Sequence, residues 1–189
     1  MKVGVHLSLN KNFYKDVEEL KISAAQVFFT SPRTVTLPKI ETETIKNLKK
    51  FNEDNDFHLY IHDSYVLNFC ISPKQNKFQI KALYESLKIS NEANCIGNVI
   101  HFGTQTNKDT VIDKPESLEN FVESMNIISE KIKNFENLLI LETPACEGLC
   151  IGRNLDELGG IWNGIRDKSR FAWCIDTCHI FSAGHDIST

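Results

Sequence analysis

The chain has 189 residues, 41% hydrophobic and 24% charged, with 21 basic and 25 acidic side chains and a formal charge of −4. That balance excludes a disordered chain and fits one globular domain over residues 1–189 with room for a sizeable core. It also excludes nucleic-acid binding through overall charge, so such a partner needs a local basic patch or bound cations.

The first apolar run is KVGVHL at 2–7, and Phe13, Val17 and Leu20 then fall on one face of a helix. Further short apolar runs follow at AAQVFF (24–29) and FHLYIH (57–62). Ser72 and Pro73 with Gln75 supply a cap, an N1 proline and a capping-box partner, which predicts a helix start there. Ile80, Leu83, Tyr84 and Leu87 continue that helix as its apolar face. NVIH (98–101) is the next run, followed by the longest helical stripe: Leu118, Phe121, Val122, Met125, Ile128, Ile132 and Phe135. LLILE (138–142) precedes a fifth helix announced by Asn154 and Glu157, and FAWCID (171–176) is the last run.

Near-continuously apolar strands separated by single helices imply a parallel sheet covered by those helices, because parallel strands need crossover connections. An open doubly wound sheet and a (β/α)8 barrel both satisfy the pattern. No Gly/Ser or Pro linker divides the chain, and no apolar run approaches the ~20 residues of a membrane span. The N-terminus is broken by His6 and polar residues too early for a signal-peptide core. The expectation is an intracellular chain, cytoplasmic or nuclear and not secreted, with no membrane partner and mostly reduced thiols.

What ends each run carries the chemistry. His6, His62, His101, Glu142 and Asp176 all fall at or near the C-terminal end of an apolar run. In a parallel sheet those ends share one rim, so residues distant in sequence can converge there. Imidazoles and carboxylates together suit zinc or a similar first-row metal, and His179 lies one loop step beyond Asp176. Each residue alone has a plainer role: a hydrogen-bonded interior histidine, or a glutamate paired with a lysine. Their coincidence at equivalent positions favours a rim metal site. A rival is a structural zinc site made by Cys146, Cys150, Cys174 and Cys178, although Cys174 inside a core strand reads as a small apolar filler. His58 reads as an interior filler on the face of His62, and His185 as an exposed loop residue.

The stretches GVHLS (4–8), SPR (31–33), HDSY (62–65), IHFG (100–103), LETPA (141–145), KSR (168–170) and CIDTCHIFSAG (174–184) resemble the endonuclease IV type of apurinic/apyrimidinic (AP) endonucleases, in order and spacing. The resemblance implies a (β/α)8 TIM barrel with three zinc ions at its rim. It makes His62, His101 and Glu142 ligands of one ion, with Glu142 bridging to a second that Asp176 also holds and His179 serving a third. The implied activity is base-excision repair of double-stranded DNA, by hydrolysis of the phosphodiester 5′ to an abasic site to leave a 3′-hydroxyl. Glu142 and Asp176 are the implied catalytic residues, and Arg33, Tyr65 and Val66 the implied DNA contacts. As ordinary loop residues, those three would be a solvated cation, a packed rim aromatic and loop packing.

Counting units gives about six parallel strands and five helices, fewer than a closed barrel contains. The chain therefore reads as the N-terminal two-thirds of such a barrel. One zinc site keeps its implied protein ligands, and a missing C-terminal segment or another chain completes the rest. Two alternatives stand beside the nuclease: a non-catalytic remnant that binds metal or DNA, and a related metal-dependent sugar isomerase barrel.

Overall fold

A computed structural model describes residues 1–107, 110–145 and 148–187. In chain order the elements are β1 (Gly4–His6), α1 (Phe13–Leu20), β2 (Ala24–Val27), α2 (Thr42–Asp54), β3 (His58–His62), α3 (Lys77–Glu92) and β4 (Gly97–Ile100). A short hairpin, β5 (Thr106–Asn107) and β6 (Thr110–Val111), leads to α4 (Lys114–Ile132), β7 (Leu138–Glu142), α5 (Leu155–Gly164), β8 (Phe171–Cys174) and α6 (Thr177–Ser182). The main sheet has six strands in the order β1-β2-β3-β4-β7-β8, and every neighbouring pair is parallel. Six parallel strands are the expected part of a (β/α)8 barrel, while a helix follows each of them, one more than expected because the short α6 follows β8.

The helices form where side chains can be buried against the sheet. Along α4, Phe121, Met125, Ile128 and Ile132 recur at helical spacing and are all fully buried. They pack with Leu83 and Leu87 of α3 and with Leu139 and Leu141 of β7. A second cluster joins Phe13 and Val17 of α1, Leu48 of α2, Val27 of β2, and Leu59 and Ile61 of β3. Asn154 caps α5 as expected, its side chain accepting from the Glu157 N–H at 2.9 Å. The Glu157 carboxylate reaches back to the N–H groups of Gly152 and Arg153 and pairs with Lys114 at 2.6 Å.

Several boundaries differ from expectation. Residues 72–76 make a turn, with the N–H groups of Gln75 and Asn76 both donating to the Ser72 carbonyl, and α3 starts only at Lys77. Asn76 is held instead by its own amide, which donates to the Asn68 carbonyl at 2.6 Å. Leu20 is exposed because α1 ends there and Lys21 turns the chain with φ of 52°. Phe135 lies beyond the end of α4, half-buried beside Tyr84. His58 shares the inward face with His62 but is half-exposed, with Nε2 3.9 Å from Asp56.

The two ends of the sheet are open. Among the described residues β1 pairs only with β2 and is exposed along its length, and β8 pairs only with β7. The inward face of the sheet borders a cavity of about 500 Å³ lined by Val5, Tyr60, Val99, Ile140 and Trp173 among others. A second apolar groove of about 500 Å³ runs between α5 and β8, lined by Leu155, Leu158, Trp162, Ile175 and Ile180. His185, expected in solvent, is half-buried in that groove. Among the described residues no helix is long and apolar enough to cross a membrane.

Candidate metal centre

Strand parity decides which side chains meet. Successive residues point to opposite faces, so His62 turns inward while Ile61 faces the helices. The register sets Ile100 beside Leu141, which brings the next residues, His101 and Glu142, level with each other on adjacent strands. Three neighbouring strands of the buried centre, β3, β4 and β7, thus deliver His62, His101 and Glu142 to one place. Gly103 lets the chain leave β4 sharply: its φ is 101°, and a Cβ there would collide with Asn68 Oδ1.

Glu142 sits at the middle of the cluster and is 6% exposed. Its Oε2 lies 3.3 Å from His62 Nε2 and 3.5 Å from His101 Nε2. Its other oxygen, Oε1, lies 3.2 Å from His179 Nδ1, which is 3.7 Å from Asp176 Oδ2. Two groups therefore share one carboxylate: His62, His101 and Glu142, and Glu142, Asp176 and His179. Within each group the candidate ligand atoms lie within 4.8 Å of one another. Bonds of about 2.0–2.2 Å at tetrahedral angles place ligand atoms about 3.3–3.6 Å apart, so these residues fit a zinc-sized cation.

The ring orientations suit ligation. His62 Nδ1 lies 2.7 Å from the Asp63 carbonyl, and a proton donated there leaves the Nε2 lone pair facing Glu142. Burial pushes the His101 imidazole below its usual pKa; the attraction of Glu142 opposes this, and the neighbouring His62 and His179 rings add to the lowering. That shift favours the neutral imidazole, the form that binds a metal. His179 Nδ1 is also 2.9 Å from the Thr143 carbonyl, so it either donates there or ligates, not both.

Asp176 is expected at a strand end, but β8 stops at Cys174 and Asp176 caps α6. Its Oδ1 accepts from the His179 N–H at 2.9 Å, while Oδ2 turns toward the His179 ring. Its own N–H donates to Thr143 Oγ1 at 3.0 Å, tying the loop after β8 to the end of β7.

The cleft over these residues measures about 560 Å³ and is also lined by Gln26, Tyr65, Cys174, Ile175 and Thr177. Tyr65 is half-exposed, with ring centroids 4.9 Å from His62 and 5.3 Å from His101. Arg33 and Val66 are exposed and do not line the cleft. Their loops are nonetheless joined, since the Pro32 carbonyl accepts from Tyr65 N–H and Ser64 Oγ, each at 3.0 Å. His6 stands apart from the two groups, exposed, with Nδ1 3.2 Å from Gln26 Oε1. Sequence reasoning misses Gln26, although a polar residue inside AAQVFF on the inward parity is a readable signal.

The thiol alternative gains nothing from the described residues. Cys146 lies outside them, Cys150 is buried and Cys178 exposed. Burial, with Glu142 and Asp176 nearby, pushes the Cys174 thiol up to about 11 and keeps it protonated. Neither metal-type group among the described residues contains a cysteine.

With that geometry in view, residues 14–188 match the family described as xylose isomerase-like TIM barrel. The chain belongs to this family. Within it the chain is 30% identical to a probable endonuclease 4 of Halothermothrix orenii, over 99% of this chain and 67% of that protein. It is 29% identical to a putative endonuclease 4 of Acanthamoeba polyphaga mimivirus, over 100% of this chain and 62% of that protein. The chain thus spans about two thirds of the length of these curated relatives, and the endonuclease IV resemblance holds along it. The crystal structure of endonuclease IV from Thermus thermophilus superposes with a TM-score of 0.75 at 19% identity, over 96% of this chain and 65% of that one. D-psicose 3-epimerase from Clostridium cellulolyticum gives 0.74 at 18% identity, over 100% of this chain and 67% of that one. At such identities the two structures share the TIM-barrel fold with this chain and say nothing further of its activity.

Proposed function

We propose that residues 1–189 form one incomplete barrel domain of a zinc-dependent AP endonuclease. In this reading His62, His101 and Glu142 hold one zinc ion, Glu142 and Asp176 contribute to a second, and His179 to a third. The observation that carries it is the Glu142 carboxylate, whose two oxygens face two different groups of ligands. Zinc at such a site lowers the pKa of bound water toward neutrality and offsets charge on a phosphate. The reaction is hydrolysis: an oxygen from water bonds to phosphorus, and the bond to the 3′ oxygen on the 5′ side of the abasic nucleotide breaks, leaving a 3′-hydroxyl.

The chain's own residues provide the mould. Glu142, buried between the two groups, would offer one oxygen to each. Asp176 offers Oδ2 while Oδ1 is occupied in the α6 cap. Tyr65, exposed on the lip of the cleft and meeting two ligand histidines edge-on, offers an aromatic ring to DNA, with Arg33 supplying positive charge and Val66 apolar contact from the same rim. An abasic nucleotide leaves the stack at low cost because no base pair holds it. An intracellular location, cytoplasmic or nuclear, belongs to the same reading.

The relatives favour nuclease chemistry over the sugar-isomerase alternative, because similarity along the whole of this chain runs to proteins named endonuclease 4. The test is incubation of the purified chain with zinc and a duplex carrying one abasic site. Incision 5′ to that site, abolished by a chelator, supports the proposal. Binding without incision favours a non-catalytic remnant, and conversion of a ketose without DNA cleavage favours the isomerase.

A further inference from the structure

Behind the candidate centre, on the helix-facing side of the sheet, lies a buried acid that the chemistry above does not use. Asp63 is 7% exposed and follows His62 directly. Its Oδ2 accepts from Asn98 Nδ2 at 2.8 Å, and the Ser86 hydroxyl bonds to the same carboxylate. The Asn98 amide also donates to Ser86 Oγ at 2.9 Å, and Asn98 Oδ1 accepts from Ser90. Asn137 extends the chain of bonds by donating to Ser90 Oγ at 2.5 Å and to the Leu87 carbonyl at 3.0 Å. A polar file thus runs from the turn before β7, across α3 and β4, to the residue beside His62.

Such a file is a poor way merely to pack a helix on a sheet. Burying a carboxylate against neutral donors costs desolvation that apolar side chains of similar volume would avoid. Its placement supplies the reason. Every polar group of Asp63 is engaged: the N–H donates to the Val99 carbonyl at 2.9 Å, and the carbonyl lies 2.7 Å from His62 Nδ1. The side chain anchored in the interior and the N–H anchored to β4 hold residue 63 in place, and its carbonyl points at His62 Nδ1. That direction selects the His62 tautomer with Nδ1 protonated and aims Nε2 at Glu142.

We propose that Asp63, clamped by Asn98 and Ser86, is a positioning residue that fixes the His62 imidazole for metal binding. The inference rests on the reading of His62 as a metal ligand. It goes beyond that reading in assigning the buried side chains behind the sheet a task at the rim. Groups that orient a ligand histidine typically change metal affinity by about 10–100-fold when removed.

Two measurements on the full chain test it, neither needing nuclease activity. The first is exchange of the His62 Nδ1 proton, followed by NMR without metal and identified by its loss in His62→Gln. The second is titration with cobalt(II), read from visible absorption. Asp63→Asn, which preserves shape and an acceptor for Asn98, is expected to keep the slow proton and to bind cobalt within about threefold of the wild type. Asp63→Leu is expected to lose the slow proton and to bind cobalt about 10–100-fold more weakly. Should Asp63→Leu fail to fold, Ser86→Ala takes its place, with faster exchange and cobalt binding several-fold weaker expected. A folded Asp63→Leu, or in its place Ser86→Ala, with wild-type exchange and affinity overturns the inference. If the wild type binds no cobalt, the metal reading falls, and the exchange experiment alone then decides whether Asp63 fixes the imidazole.

Discussion

The centre of the sheet and its flanks are built to different standards. β3, β4 and β7 each have a strand on both sides and helices behind, and all four residues of β4 are buried. β1 and β8 have one neighbour each; β1 is exposed throughout and only Phe171 of β8 is buried. Four of the five candidate ligands divide along the same line; His101, after central strand β4, is the exception at 27% exposed. The side chains of His62 and Glu142 are 6% and 8% exposed on central strands, while those of His179 and Asp176 are 23% and 32% exposed beyond a flanking strand. Packing holds the central group in place; a helix cap and a single threonine hold the outer one. The lesson is that one carboxylate joins a rigid half-site to a lightly supported one.

Mutations can break that contrast or sharpen it. The largest loss is expected at the centre: Phe121→Ala, which empties a fully buried position, should cost about 3–5 kcal/mol in urea unfolding. Removing the shared carboxylate should come next. Glu142→Gln is expected to weaken zinc or cobalt binding by roughly 100-fold, about 2.7 kcal/mol, measured by calorimetric titration. Binding that falls only for the weaker ion would mean that the two groups do not share Glu142.

Asp176→Ala is expected to be milder for the fold, costing about 1 kcal/mol through the lost cap and accelerating amide exchange in α6 alone. Val5→Ala, at an exposed position on the open edge, should change stability by less than about 0.5 kcal/mol. The thiols offer a mapping of the same contrast without mutation. Burial pushes the Cys70 thiol up to about 12 and raises that of Cys95 further, so neither should react with a disulfide reagent at pH 8 until the chain unfolds. Exposed Cys178, on the flank, should react in the native state, with mass spectrometry of the labelled peptides as the check.

The strands and the candidate ligands are legible in the sequence because both depend on short-range pattern. An apolar run that ends in His62, His101 or Glu142 shows at once a buried strand and a polar group on its rim. The start of α3 misleads for an equally local reason. Ser72, Pro73 and Gln75 carry the residue types of a capping box, but a turn closes on the Ser72 carbonyl and the Asn76 amide is drawn away to Asn68. Neither partner is visible from the segment itself. The two-residue strands of the hairpin bury too little to leave a periodic trace. Asp63 is hidden differently: it stands in the HDSY motif, yet its partners Ser86 and Asn98 follow 23 and 35 positions later and become neighbours only when α3 packs on β4. Asp176 is placed correctly at the rim but for the wrong backbone reason, since its helix cap depends on where β8 stops.

That cap has a further consequence. With Oδ1 of Asp176 bonded to the His179 amide, the carboxylate has lost its rotational freedom before any ion arrives. The entropy of immobilising it is spent when the chain folds and need not be spent again on binding. A short helix that looks like a mere loop ornament therefore makes its own first acid a stiffer, and so tighter, grip.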